Sequence, residues 1–338
     1  MRTRKINKDE VFLHHTGGMF GIGCSAFDAA AIGKINRLKQ RESGKGLIVL
    51  LADRNWLDKY DIPVSLKMQR LLQQYWPGEL TVILPDPQHN FENISWQGQV
   101  ACRIPPDPFL QDFIKNFNTP IVSTSVNLAG EAPVNDLIEI RKTFKKWFDL
   151  EILPSELPKG NPKPSTIIKE DKGKLVLLRE GSIEYAEIER SWQKPQILFV
   201  CTANICRSPM AHHYLDWLIQ KKKLPYEIRS AGFLASGFRI SENSCSVLAE
   251  IGIDVAQHVS AQLSEDVVRQ SWLILTMTSN HKHSLIGHFP NAADKTFTLS
   301  EVTGFQQDID DPFGLDLFYY RQTFEKIKNR IDMFVKKL

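Results

Sequence analysis

Val200-Cys201-Thr202-Ala203-Asn204-Ile205-Cys206-Arg207-Ser208-Pro209 joins two different patterns. The run before it, Ile197-Leu198-Phe199-Val200, is continuously apolar and reads as a buried parallel strand. The run after it, Met210 to Ile219, reads as a helix, and Pro209 suits its first turn, where a missing N–H costs little. A cysteine and an arginine six residues apart therefore sit on a strand-to-helix turn. Such a turn directs backbone N–H groups and the positive end of a helix dipole inward, which makes an anion cradle.

Working outward, the downstream pattern is strand, helix 209–221, strand Tyr226 to Ser230, helix Glu242 to Ile251, buried strand Trp272 to Met277, and a final helix from about Leu315 to Leu338. Alternating strands and helices imply a parallel sheet wrapped by helices, a Rossmann-like arrangement. Upstream, Arg190 to Pro195 reads as a short linker, so the chain is expected to form two domains, residues 1–190 and 195–338. Its 338 residues, 42% hydrophobic and 24% charged, are enough for two cores. The net charge of only +3 writes no strong nucleic-acid footprint, and the Lys221-Lys222-Lys223 run reads as a solvated helix end before a contact for RNA or acidic partners. Five cysteines without paired CxxC elements predict a reducing, cytoplasmic setting and no metal site. No apolar stretch reaches membrane-spanning length, so no membrane partner is expected, and the basic N-terminus lacks the apolar core of a signal peptide.

The first half reads as mixed α/β without internal repeats. A short strand, Val11-Phe12-Leu13, runs into a glycine-rich turn carrying Gly17, Gly18, Gly21 and Gly23, and these glycines alone favour an ordinary loop. Helices are expected over Ala29 to Arg41, Ser65 to Tyr75, Phe109 to Phe117 and 134–147, and strands over Leu47 to Leu51, Leu80 to Leu84, Val100 to Pro105, Pro120 to Ser125, Ser165 to Ile168 and Leu175 to Arg179. The Pro-rich stretch 154–164 reads as a loop. Cations and hydroxyls recur near strand ends: Lys39 and Arg41 with Lys45, Arg103, Ser125 with Asn127, and Ser165 and Thr166 with Arg179. Ligands of open α/β sheets bind beyond the carboxyl ends of strands, and such donors suit a triphosphate. Taken singly, each is an ordinary surface charge or cap, and no Walker-type loop is present.

Together these residues resemble the threonylcarbamoyl-adenylate synthases. Lys39-Gln40-Arg41 with Lys45 is similar to the family's KxR…K element, Ser123 to Gly130 to STSANxSG, Pro164-Ser165-Thr166 to PST, and Leu178-Arg179-Glu180-Gly181 to LRPG. The resemblance covers about residues 10–185 and implies a twisted mixed α/β domain that makes threonylcarbamoyl-AMP from threonine, bicarbonate and ATP with Mg²⁺, for modification of tRNA, with double-stranded RNA binding as a family trait. It also implies that Lys39, Arg41, Lys45, Arg103, Ser125, Asn127, Ser165 and Arg179 hold the nucleotide. The turn His15 to Gly23 departs from the family's PT(D/E)TVYGLG, with Gly17 and Gly18 replacing an acidic residue and a threonine and Phe20 replacing tyrosine. Leu50 stands for a histidine often found there, and Glu180 for the LRPG proline. Each lost hydrogen-bond partner costs about 1–3 kcal/mol. The departures lead to an expectation that nucleotide binding survives and threonine use is weakened or altered. A synthase with a rearranged pocket, and a non-catalytic nucleotide- or tRNA-binding module, are the alternatives.

In the second half, a cysteine that transfers phosphoryl groups needs a stabilised thiolate, donors for the equatorial oxygens and an acid for the leaving group. Cys201 starts the cradle, Arg207 can fork two phosphate oxygens, Ser208 offers its hydroxyl to the thiolate and Asn204 shapes the loop. The acidic loop Asp308 to Gly314, stiffened by Pro312, supplies Asp311 as the proton donor. Cys201 alone would be a buried structural cysteine; the CxxxxxRS spacing with a later Asp-Pro-Phe-Gly carries far more. This half resembles the low-molecular-weight protein tyrosine phosphatases over nearly its whole length: Cys201 to Pro209 for C(x)GN(x)CRSP with Ala203 in place of glycine, Ser230-Ala231-Gly232 for SAG, Gly252-Ile253-Asp254 followed by His258, and Asp311-Pro312-Phe313-Gly314. The resemblance implies attack by Cys201, proton donation by Asp311 and no metal or cofactor. Ile205 stands where family members acting on phosphotyrosine commonly carry Ile and protein-arginine phosphatases carry Thr, which favours phosphotyrosine proteins or small aryl phosphates. Phe313 is placed to stack on an aryl group, or to anchor its loop. Cys206 either packs in the cradle or forms a protective disulfide with Cys201. Arsenate reduction is the rival chemistry; it needs resolving cysteines, and beyond the cradle only Cys245 is available.

Overall fold

The computed structural model describes residues 6–7, 9–40, 47–128, 130–157, 163–234 and 236–338. The chain divides into two compact units: residues up to 69 with 75–186, and 70–74 with 187–338. Residues 190–193, read above as linker, instead close a helix, because Ile188 and Trp192 bury one face of it.

The first unit contains, in order, β1 (Phe12–His15), β2 (Phe20–Ser25), α1 (Ala29–Leu38), β3 (Ile48–Leu50), α2 (Asn55–Lys59), the ends of α3 (Leu66–Tyr75, whose residues 70–74 group with the second unit), β4 (Leu80–Pro85), β5 (Gln99–Arg103), α4 (Pro108–Phe117), β6 (Ile121–Ser125), α5 (Leu137–Thr143), β7 (Leu150–Ile152), β8 (Thr166–Asp171) and β9 (Lys174–Arg179). The start of α6 (Tyr185–Gln193) follows. Among the described residues the strands form one nine-stranded sheet ordered β7-β1-β2-β6-β3-β5-β4-β8-β9. It is mixed: β1 with β7, β3 with β5 and β4 with β8 run parallel, and the other pairs are antiparallel. Local chemistry sets the helix ends. The Asp28 carboxylate accepts from Ala31 N at 3.0 Å to cap α1, and Asp107 with Pro108 opens α4, which Asn118 closes in the left-handed region.

Phe20–Ser25 is a buried strand rather than the end of a glycine-rich turn. Gly23 lies where an added Cβ would stand 2.2 Å from the Val122 carbonyl oxygen, and at Gly21 it would meet the His14 ring at 2.9 Å. These glycines allow a close approach within the sheet; only Gly17 takes positive φ.

The second unit holds β10 (Gln196–Cys201), α7 (Arg207–Lys222), β11 (Glu227–Gly232), α8 (Glu242–Ala249), α9 (Glu265–Gln270), β12 (Ser271–Thr276), α10 (Ser279–His288), β13 (Thr296–Thr298), α11 (Leu299–Thr303) and α12 (Leu317–Val335). Its sheet, ordered β11-β10-β12-β13, is parallel throughout. All six residues of β10 are buried, and they alternate between two cores. Ile197, Phe199 and Cys201 face a cluster built with Met210 and Leu215 of α7, Val247 and Leu248 of α8, and Ile327 and Ile331 of α12. Leu198 and Val200 face Val268 of α9 and Leu285 of α10. Because β10 has β11 on one side and β12 on the other, its carboxyl end opens at a switch point of the sheet, where open α/β folds bind ligands. Cys201 is the last residue of that strand.

Candidate functional site

The second unit places Cys201, Ile205, Cys206, Arg207, Asp311 and Phe313 around one cavity of about 430 Å³, with Leu234 and Phe238 completing its apolar wall. Ser208 and Asn204 lie beneath it, fully buried. Asn204 takes φ of +56°, a conformation an asparagine tolerates better than most residues. Its amide Nδ2 donates to the Ser208 hydroxyl at 2.9 Å. The Ser208 oxygen thus accepts from one side, and its own hydrogen is left for the Cys201 sulfur 3.0 Å away. The asparagine is held in turn by the Ala261 N–H, 2.9 Å from its Oδ1, and by His258 Nε2, 3.1 Å from its carbonyl oxygen. Gly232, at the end of β11, lets the loop pass, since a Cβ there would stand 2.8 Å from three backbone atoms of residues 202–204.

The Arg207 guanidinium is buried; Nη1 donates to the Ile309 carbonyl at 3.1 Å, and Nη2 pairs with Asp311. Its Nε is buried without a hydrogen-bond partner, a donor left for an anion in the cradle. The Asp311 side chain is 44% exposed, so its carboxyl reaches the cavity and solvent. Phe313 is two-thirds exposed at the rim, and its N–H donates to Asp311 at 3.2 Å. Burial pushes the Cys206 thiol up, with hydrogen bonding to Tyr320 and Ser241 opposing it; the Tyr320 hydroxyl lies 3.2 Å from the sulfur. His281, which sequence reading did not single out, sits 2.9 Å from the Thr202 hydroxyl and is pulled down to about 4 by burial first and by the Arg207 charge second. His258 was noted for its motif alone; its grip on the Asn204 carbonyl joins residues 54 positions apart, a link no local pattern carries.

In the first unit, Arg103, Ser125, Ser165 and Arg179 line one cavity of about 370 Å³ together with Thr16, Met19, Phe20 and Trp96. Arg103 Nε donates to the Gly78 carbonyl at 2.9 Å, and its Nη2 lies 2.5 Å from Glu79. Arg179 donates to the Ser165 carbonyl at 2.8 Å and the Ser165 hydroxyl at 3.2 Å. Burial lowers both guanidinium groups, and Arg103 lowers Arg179 further, so two like charges share this wall. Gly181 permits the close passage of the 164–165 backbone, 2.1 Å from where its Cβ would be.

Lys39 and Asn127 stand behind that wall. Lys39 is fully buried, and its ammonium donates to the carbonyls of Ser125 at 2.9 Å and Asn127 at 2.7 Å and to Asn127 Oδ1 at 2.6 Å. Three donors are all an ammonium has. Asn127 donates its amide to the Leu128 and Glu131 carbonyls. Both residues therefore tie the turn after β6. Arg41 and Lys45 lie outside the described residues. Glu79 was not anticipated; its only signal was its place just ahead of β4. Gly17 takes φ of +95°, and a Cβ there would meet Pro106 at 2.9 Å, so this turn has no room for a larger side chain at that position.

Comparison with known proteins divides the chain in the same way. Residues 4–181 match the Sua5/YciO/YrdC family, described as "Telomere recombination", and residues 196–338 match the low molecular weight phosphotyrosine protein phosphatase family. Among curated relatives, the protein-arginine-phosphatase of Geobacillus stearothermophilus is 44% identical over 42% of this chain and 95% of its own length. That of Bacillus subtilis is 37% identical over 42% of this chain and 95% of its own. The threonylcarbamoyl-AMP synthase of Vibrio campbellii is 33% identical over 53% of this chain and 96% of its own. No helix of the described residues is long and apolar enough to cross a membrane.

Proposed function

Because the chain belongs to the Sua5/YciO/YrdC family through its first half and to the low molecular weight phosphotyrosine protein phosphatase family through its second, we propose that it is a two-site enzyme, a cysteine phosphatase acting on aryl phosphates joined to a domain that binds ATP. The observation that carries the phosphatase reading is the relay from Asn204 through the Ser208 hydroxyl to the Cys201 sulfur, under an arginine with an unpartnered buried Nε. The Cys201 thiolate attacks phosphorus, and the S–P bond forms as the P–O bond to the leaving group breaks. Arg207 and the loop N–H groups take the equatorial oxygens; in doing so the phosphate displaces Asp311 from Arg207, and the released carboxyl, facing a dianion, takes up a proton from solvent and delivers it to the leaving oxygen. Asp311 then takes a proton from the water that cleaves the S–P bond, releasing inorganic phosphate and the thiolate.

The substrate class follows from the cavity walls. Ile205, Leu234, Phe238 and Phe313 are apolar, and Asp311 is the carboxylate in the lining. An aryl ring needs no acceptors there, whereas a phosphorylated guanidinium brings N–H groups that would lose their water partners. Phosphotyrosine is therefore the preferred substrate. The names of two relatives favour phosphoarginine as the second reading. Comparing kcat/KM on one peptide carrying either phosphotyrosine or phosphoarginine decides between them. A preference for phosphotyrosine that falls in Ile205→Thr supports the first; a preference for phosphoarginine in the unaltered chain overturns it.

For the first unit, Arg103, Arg179, Ser125 and Ser165 would hold the phosphates of ATP delivered with Mg²⁺, with Lys39 and Asn127 setting the turn that carries Ser125. Gly17 and Gly18, which bring no side-chain donor or acceptor to this turn, support weakened use of threonine in making threonylcarbamoyl-AMP for tRNA. Calorimetry with ATP·Mg²⁺ should show binding, and threonine-dependent pyrophosphate release at the level of an ordinary synthase would refute the weakening. Five free cysteines are compatible with a reducing compartment such as the cytoplasm, which is the setting we propose.

A further inference from the structure

We propose that His212, His213 and His258 form a binding site for a divalent transition cation, with zinc the best chemical match, against the Asn204 carbonyl of the phosphatase loop and outside the lining of its cavity. Each ring offers one nitrogen, and the three ligand atoms lie within 4.8 Å of one another. His212 and His213 are neighbours on α7 with their rings stacked at 4.5 Å, and His258 meets them from the segment after α8.

Hydrogen bonding fixes which nitrogen faces the centre. His258 Nε2 lies 3.1 Å from the Asn204 carbonyl, which can only accept, so Nε2 carries the proton and Nδ1 the lone pair. That Nδ1 is 3.0 Å from His213 Nε2. With Nδ1 of His212 turned to the Ser230 hydroxyl at 3.0 Å, Nε2 is the nitrogen that ring has to offer. A tetrahedral zinc with nitrogen ligands at 2.0–2.1 Å needs those nitrogens roughly 3.3 Å apart, close to the spacing of the His213–His258 pair. Cation entry requires His213 to move its proton from Nε2 to Nδ1, a tautomer change that releases no proton. The charge of Arg229, near His212, acts against a cation, and three neutral ligands must outweigh it. The three rings are half-buried, and a tetrahedral cation held by them would take water as its fourth ligand.

The Asn204 carbonyl serves as the second partner that orients a metal-bound histidine. A cation on His258 would therefore fasten the loop residue that holds Ser208 against Cys201. This links metal binding to the rigidity of the cradle without placing metal in the reaction.

Cobalt chloride and zinc chloride, titrated into the metal-free full chain carrying Cys201→Ser, test the site. The expected result is one cobalt per chain with visible d–d bands, no near-ultraviolet thiolate charge-transfer band, and displacement by zinc. His213→Gln in that background should lower affinity at least tenfold, and zinc should raise the melting temperature of the parent and leave that of the variant unmoved. Glutamine keeps a side-chain donor for His258, the hydrogen-bond partner of His213, so this variant is expected to fold; His212→Gln, checked by circular dichroism, provides a second route. Absence of cobalt binding, binding unchanged in His213→Gln, or a charge-transfer band assigning the metal to Cys206 would overturn the proposal.

Discussion

The Ser208 hydroxyl makes Cys201 more than a buried thiol. Accepting from Asn204 leaves it one hydrogen, and the sulfur lies 3.0 Å from it. Ser208→Ala should therefore reduce kcat about 10-fold or more through loss of a hydrogen bond to a charged group worth roughly 1.5–3 kcal/mol, with KM for p-nitrophenyl phosphate little changed. Asp311→Asn keeps the side-chain shape but has no proton to donate, and kcat should drop about 10²–10⁴-fold; a drop that shrinks with better leaving groups identifies the lost acid. In the first unit, His14 is fully buried and both its ring nitrogens lack partners. Burial above all, then the charges of His15 and Arg103, lowers it to about 3. Its folded value lies below the unfolded 6.5, so its contribution to stability is complete above pH 6.5 and is lost as pH falls toward 3. His14→Phe, measured by thermal melts from pH 7 to 4, should gain on the unaltered protein as pH falls. A constant gap across that range would contradict this.

At the scale of elements, both sites depend on backbones packed closer than a side chain allows. Gly232→Ala puts a Cβ 2.8 Å from three backbone atoms of the cradle loop, and the expected loss is about 1–3 kcal/mol of stability, seen as a lower midpoint in urea together with weaker phosphate inhibition. The strand-to-helix turn was legible in sequence because it is local: an apolar run, a cysteine, an arginine six residues on and a proline in the first turn all fall within one stretch. The parallel sheet of the second unit was legible from alternation alone. What was missed depends on distant partners. β2 read as a turn because glycine normally punctuates, yet Gly21 and Gly23 are set by His14 and Val122 across the sheet. Lys39 reads as a phosphate ligand because it is a cation in a motif, and its contacts with Ser125 and Asn127, more than 80 residues away, are ones that no local pattern announces. The His212–His213–His258 cluster escaped for the same reason.

At the scale of the whole chain, every residue lining the first cavity belongs to the first unit and every residue lining the second belongs to the second. The two activities should therefore separate by mutation within one intact chain. Arg179→Ala removes a guanidinium that lines the first cavity and should weaken ATP binding about 10–100-fold, the equivalent of roughly 1.5–3 kcal/mol for a charged hydrogen bond, while leaving aryl phosphate hydrolysis unchanged. Cys201→Ser should do the reverse. The most direct test of the account is hydrolysis of p-nitrophenyl phosphate by the intact chain and by Cys201→Ser, each with and without ATP and without added metal. Turnover by the unaltered chain that falls to background in Cys201→Ser under both conditions is the expected result. Turnover retained by Cys201→Ser would contradict the account.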